Sequence, residues 1–125
     1  RDQLEKLNGI VHPAVREYNA EFIRRARRDH PDGVLVYDVP LLAESENQGT
    51  WDFVVVAEAP DDIRLKRMVS IRGMPEADAR ARISSQASNA ERRKIADIVI
   101  DTSTTLEETR RQADDAWRLI SDLPS

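Results

Sequence analysis

The 125-residue chain contains no cysteine, which excludes disulfides, thiolate metal sites and cysteine nucleophiles. That absence fits a reducing, cytoplasmic compartment. Histidine is nearly as scarce. The two present, His12 and His30, stand at no spacing that builds a metal cage or a Ser/His/Asp arrangement. Aromatics make up 5% of the chain, and no apolar run approaches the roughly 18 residues of a membrane span. No signal-peptide pattern is visible. The four glycines, at 9, 33, 49 and 73, build no G-x-x-x-x-G-K-[ST] phosphate loop. Positive charge is not in excess either. The net charge of −4 argues against nucleic acid or a membrane as partner.

What is present suits a soluble, helix-rich protein, 40% hydrophobic and 34% charged, and its length matches one domain or part of one. The chain opens on RDQLEKLNGI, without an initiator Met, so a segment of something longer is expected. Three short runs rich in Val and Ile stand out: VLVYD at 34–38, WDFVVVA at 51–57 and ADIVI at 96–100. None alternates apolar with polar, the pattern of parallel strands buried on both faces.

Helical patterns separate these runs. Over 13–29, Val15, Tyr18, Phe22 and Ala26 share a face, with Pro13 at the first helical position and His12 before it. Residues 61–72 follow a Pro and stop at Gly73, read as a C-terminal cap. Residues 75–87 open on Pro75, with Glu76–Arg80 and Asp78–Arg82 spaced for ion pairs. Ser88 and Glu91 have capping-box spacing, and so do Thr104 and Glu107 before a last helix. Leu106, Ala113, Trp117 and Ile120 share a face of that helix, and Trp51 and Trp117 read as packing residues. His30 precedes Pro31-Asp32-Gly33, a turn, and reads as structural. Alternating strands and helices predict an α/β fold: a partial parallel sheet of about three strands flanked by helices.

Two features carry chemistry. In VLVYDVPLLAE, four apolar residues run into Asp38, and Glu44 follows. Ligands of open α/β sheets bind beyond the C-terminal strand ends. A carboxylate there can meet Mg²⁺ or its water shell beside nucleotide phosphates. Read alone, the pattern equally serves an Asp that starts the turn before Pro40. Second, residues 64–94 hold nine basic and three acidic residues, a local +6 within an acidic chain. Arginines on such a segment can close over a transferring phosphate. A solvated helix pair laced with salt bridges is the other reading. It covers Arg80 and Arg82, which have acids in register, but covers Arg67 and Arg72 less well.

LNGIVHPAVRE, DVPLLAE, LKRMVSIRGMPEADARARISSQAS and ERRKIADIVID occur in this order and together cover most of the chain. In order and spacing they resemble the dephospho-CoA kinases, and Arg72-Gly73-Met74 resembles their actinobacterial branch. The resemblance implies a P-loop kinase fold with a helical lid, and ATP and Mg²⁺ as cofactors. It implies transfer of the ATP γ-phosphoryl to the 3′-hydroxyl of dephospho-CoA, the last step of coenzyme A biosynthesis. By position it makes Arg67 and Arg72 catalytic lid arginines. His12, Arg16, Asp38, Leu41 and Glu44 fall on the substrate side, with Asp38 a possible Mg²⁺ contact through water. Arg67, Gln86, Asp101 and Thr102 fall on the ATP side.

The resemblance also divides the chain as one partial kinase domain: 1–32 substrate-side helices, 33–60 core strands and loop, 61–95 lid helices, 96–125 last strand and helix. The family's phosphate loop and its catalytic Asp precede the matched stretches, so this segment alone is expected to be inactive. With the strand between them absent, the strands at 34–38 and 52–57 would pair directly, be bridged by a second copy through an open sheet edge, or belong to a longer protein. Thr102 stands where the family usually has Asn, and Ala43 where it has a larger apolar residue. The alternative to a kinase is a non-catalytic nucleotide- or CoA-binding module of the same fold. An adenylate-type kinase fits DVPLLAE and the His-Pro pair less well.

Overall fold

A computed structural model describes residues 2–45 and 51–123. It divides into two compact units, residues 2–38 and residues 39–123.

The first unit is built on α1 (Asp2–Asp29). Acids stand in its first turn and Arg27 and Arg28 in its last, both favourable to the helix dipole. The helix does not begin at Pro13, as the sequence pattern suggests. It runs straight through, so His12 and Pro13 lie mid-helix. A proline there removes one i→i−4 hydrogen bond and brings its ring against the carbonyl of residue 9. Residue 9 is a glycine with open space around it. The helix closes with His30 N–H on the Ala26 carbonyl at 2.8 Å, and Gly33 N–H returns to the His30 carbonyl at 3.0 Å. His30 therefore serves the turn, as its sequence context suggests. Residues 34–38, expected as a strand, lie outside the sheet and form no regular element. The reason is pairing: a strand is defined by its ladder, and among the described residues the sheet has only two members. Asn19 Nδ2 donates to the Tyr37 hydroxyl, tying this extended stretch to α1.

The second unit holds β1 (Val55–Glu58), α2 (Asp61–Ser70), α3 (Glu76–Ser85), α4 (Asn89–Ile95), β2 (Ile98–Asp101) and α5 (Leu106–Ser121). The two strands pair in parallel, Val55 with Ile98 through Glu58 with Asp101. Three helices form the crossover that a parallel pair requires. The ladder is extended at its start by Val54 N–H on the Asp97 carboxylate at 2.7 Å. Exposed and half-buried residues alternate along both strands, so the sheet is not buried on both faces as the unbroken apolar runs imply. A two-stranded sheet has too few layers around it for that. Its fully buried apolar residues are small: Ala59, Ala79 and Ala116.

Local chemistry explains the helix ends. Gly73 adopts φ +64°, and the Met74 N–H beyond it reaches the Met68 carbonyl at 3.0 Å, so α2 stops where the glycine predicts. The Glu76–Arg80 pair forms at 2.6 Å; Asp78 and Arg82 make no ion pair among the described residues. The Ser88–Glu91 capping box is complete in both directions. The second box is displaced by one residue: Thr105, not Thr104, accepts from the Glu108 N–H at 3.1 Å. α5 also meets the sheet on a different face from the one its apolar spacing suggests. Ala116 is buried, whereas Trp117 is 51% exposed. Gln112 sets that rotation. Its side-chain amide accepts from Asp101 N–H at 2.9 Å and donates to the Asp101 carbonyl at 2.9 Å, covering the outer edge of β2.

The capping box yields a pH-dependent prediction. The Ser88 N–H and hydroxyl hold the Glu91 carboxyl below its ordinary 4.5. A depressed carboxyl favours the folded state above that ordinary value, and the contribution is lost as pH falls through the lowered one. NMR titration should place the Glu91 midpoint below 4.5 and return it toward that value in Ser88→Ala. The same substitution should cost about 1 kcal/mol in urea unfolding, the usual loss of an N-cap serine. A Glu91 midpoint at or above 4.5 in the unsubstituted protein would remove the box as a contributor.

Candidate phosphate-binding cleft

Strand β1 ends on two carbonyls, Glu58 and Ala59, that lie at or beyond the last ladder position. Each roots a short relay. The Glu58 carbonyl accepts from Thr102 twice, from its N–H at 2.8 Å and from its hydroxyl at 3.0 Å. The hydroxyl oxygen in turn accepts from Arg67 Nη1 at 3.2 Å, and Arg67 Nη2 donates to the Thr102 carbonyl. The Ala59 carbonyl accepts from Asn89 Nδ2 at 3.1 Å. The Asn89 side-chain oxygen accepts from Arg92 Nη2 at 2.6 Å, and Arg92 Nη1 donates to the Ala87 carbonyl at 2.6 Å. Two arginines are thus fixed by neutral acceptors at the C-terminal edge of one strand.

They face a cleft of about 250 Å³ lined by Pro40, Ala57, Glu58, Ala59, Arg64, Arg67, Gln86, Arg92 and Thr102. The charges along it are handled differently. Arg64 pairs with Asp61 at 3.0 Å and donates to Gln86 Oε1 at 2.7 Å. Glu58, whose side chain is only 10% exposed, is bound by both Arg93 Nε and Nη2, with Nε at 2.8 Å. That carboxylate holds the Arg93 guanidinium above its usual pKa. Arg67 and Arg92 have no ion pair among the described residues, and a hydroxyl, a carbonyl or an amide oxygen carries no charge to cancel theirs. A guanidinium has five N–H donors. Two on each arginine are engaged, so directed donors and a full positive charge remain for an anion.

The residues singled out in the sequence divide accordingly. Arg67, Gln86 and Thr102 come together in this cleft. Arg72 does not line it; the residue is exposed in the turn after α2, beyond the helix end at Ser70. Asp101, the last residue of β2, turns its carboxylate to the Ser103 N–H at 2.8 Å. The Ser103 hydroxyl and N–H, and more weakly Arg67, hold that carboxyl below its usual range. Leu41 is 52% exposed in the turn that also contributes Pro40 to the cleft. Glu44 accepts from the Ala87 N–H at 2.7 Å. The backbone of Ala87 is therefore held at its N–H by Glu44 and at its carbonyl by Arg92. His12, Arg16 and Asp38 are exposed and belong to the first unit. Arg92 was missed because it stands in an Arg-Arg-Lys run and looks like helix-surface charge. Its position directly after Glu91 of the capping box is the signal that would have found it: it sets Arg92 one turn in, over the linker and the strand end.

A sequence profile of the dephospho-CoA kinases matches residues 1–108. The chain is 54% identical over 115 residues to the dephospho-CoA kinase of Leifsonia xyli, covering 91% of this chain and 58% of that protein. It is 45% identical over 116 residues to that of Streptomyces avermitilis, covering 93% and 55%. Against that of Mycobacterium tuberculosis it is 46% identical over 111 residues, covering 89% and 26%. The crystal structure of TT1252 from Thermus thermophilus superposes with a TM-score of 0.72 at 25% identity, over 99% of this chain and 61% of that one. The chain spans about half the length of most of the curated relatives it matches. With a profile match over most of its residues and relatives near half identity, the chain belongs to the dephospho-CoA kinase family.

Proposed function

We propose that the protein carrying this chain transfers the γ-phosphoryl group of ATP to the 3′-hydroxyl of dephospho-CoA, releasing ADP, coenzyme A and a proton. This is the last step of coenzyme A biosynthesis, placed in the cytoplasm. The observation that carries the reading is the pair Arg67 and Arg92, fixed at a strand end by neutral acceptors and joined to no carboxylate among the described residues. Phosphoryl transfer is mainly positioning and charge neutralisation. Donors aimed beforehand at the oxygens where negative charge gathers stabilise the transition state without reorganising. At about 250 Å³ the cleft suits phosphate groups and is small for a whole nucleotide.

Within this reading the family's P-loop kinase fold extends to the whole of 1–125 as one partial domain, with 61–95 as a helical lid. Gln86, Asp101 and Thr102 lie on the nucleotide side. His12, Arg16, Asp38, Leu41 and Glu44 lie toward dephospho-CoA. Mg²⁺ neutralises β- and γ-oxygens when bound. It is commonly held by one or two carboxylates plus the phosphates themselves, a mode that a single exposed acid such as Asp38 can serve through water. Self-association through the open edge of β1 is the remaining partner in this reading.

Turnover at saturating ATP should fall on the order of 10²-fold in Arg67→Ala, the scale of one lost transition-state donor, and comparably in Arg92→Ala. Arg72→Ala should cost only a few-fold, because its side chain does not line the cleft. An Arg72 effect exceeding that of Arg67, or transfer to AMP in preference to dephospho-CoA, would overturn the assignment.

The Glu58 carboxylate supplies a second check. Arg93→Ala leaves it bare at the cleft wall, where it repels an incoming polyphosphate. Calorimetric affinity for ATP should drop several-fold. Folding stability should change little, since Arg93 is itself 60% exposed. Unchanged affinity would mean that Glu58 does not face the ligand.

A further inference from the structure

The side chain of Thr102 occupies a position that the family resemblance assigns to the nucleotide, yet its one hydroxyl proton and one of its two lone pairs are used inside the protein. The hydroxyl proton goes to the Glu58 carbonyl at 3.0 Å, and the oxygen accepts from Arg67 at 3.2 Å. The backbone carbonyl of the same residue takes the other terminal nitrogen of that guanidinium. A planar fork gripped at two points by one residue has little freedom left, either to swing or to rotate about its own axis. The grip is neutral, so it orients the cation without cancelling it. We infer that Thr102 is a positioning residue for Arg67, setting the guanidinium for phosphate, and that it does not read the adenine base.

The chemistry separates Thr102 from the alternatives at this position. An Asn side chain could offer its carbonyl oxygen to Arg67. Its amide would then have to replace the hydroxyl donor at Glu58 from a longer side chain. Valine keeps the shape and loses both bonds, while the backbone grip on Nη2 remains. Serine keeps the hydroxyl and loses only a methyl group. The inference rests on the reading of Arg67 as a phosphate ligand, so the test measures Arg67 independently.

In the protein as encoded, Thr102→Val should lower kcat roughly three- to tenfold, the scale of one hydrogen bond. KM for ATP and the preference for ATP over GTP should stay as they are. Thr102→Ser should recover most of the lost rate. In an Arg67→Ala background, Thr102→Val should lower kcat less than twofold further, because the group it positions is gone. The NMR order parameter of the Arg67 Nε–H should also fall in Thr102→Val, a readout independent of turnover. A changed ATP/GTP preference, or a full multiplicative loss on top of Arg67→Ala, would overturn the inference. An Arg67→Ala enzyme with near-normal kcat would instead overturn the phosphate reading, and the order parameter would still decide whether Thr102 holds the side chain.

Discussion

Two backbone carbonyls at the end of β1 organise this unit. The Glu58 carbonyl accepts from the Thr102 N–H at 2.8 Å, which carries the ladder one position further, the Ala59 carbonyl lies beyond it, and an unmet buried carbonyl is costly. Here Glu58 and Ala59 are met by neutral side chains that have a second hydrogen bond to give or take. Thr102 and Asn89 carry the connection onward to guanidinium groups. The requirement to satisfy a strand end therefore also fixes two cations in space.

That arrangement determines which of the many basic residues matter. In a segment with a local +6, position in sequence says little about availability. Partner chemistry says more. Arg80 and Arg93 are each joined to a carboxylate, and Arg64 to one carboxylate and one amide. Such pairs order helices and linkers while their net charge is near zero. Arg67 and Arg92 are held as firmly by oxygens without charge. The linker at 86–88 shows the same economy of parts: Glu44 holds the Ala87 N–H and Arg92 its carbonyl, while Gln86 next to it holds Arg64. Any movement of this linker would be felt at Arg92 and Arg64.

Local signals were legible in the sequence wherever one residue decides the outcome. Gly73 stops α2, Ser88 and Glu91 cap α4, and the two valine- and isoleucine-rich runs at 51–57 and 96–100 overlap the paired strands, each of which ends one residue later. The family resemblance, resting on four ordered stretches, led to Arg67, Gln86 and Thr102, which the fold gathers in one cleft. What was not legible depends on partners distant in sequence. VLVYD has every strand propensity, and forms no ladder because propensity supplies no neighbour. Pro13 reads as a helix start, but helix on both sides carries through it. Arg72 looked like Arg67 because both lack acidic neighbours in helical register. The decisive partners proved to be one carbonyl and one hydroxyl some thirty-five residues away, both of Thr102. Arg92 was hidden by the same logic in reverse, since its neighbours Arg93 and Lys94 make it look like ordinary surface charge.

Pre-oriented guanidinium groups joined to no carboxylate are where anionic phosphate should bind. Titration of the encoded protein with inorganic triphosphate, followed through arginine side-chain Nε–H resonances, tests this most directly. Arg67 and Arg92 should shift together along one saturation curve, while Arg80 and Arg111, each paired with a carboxylate outside the cleft, stay in place. A titration that moved those paired arginines and left Arg67 and Arg92 where they were would contradict the account at its root.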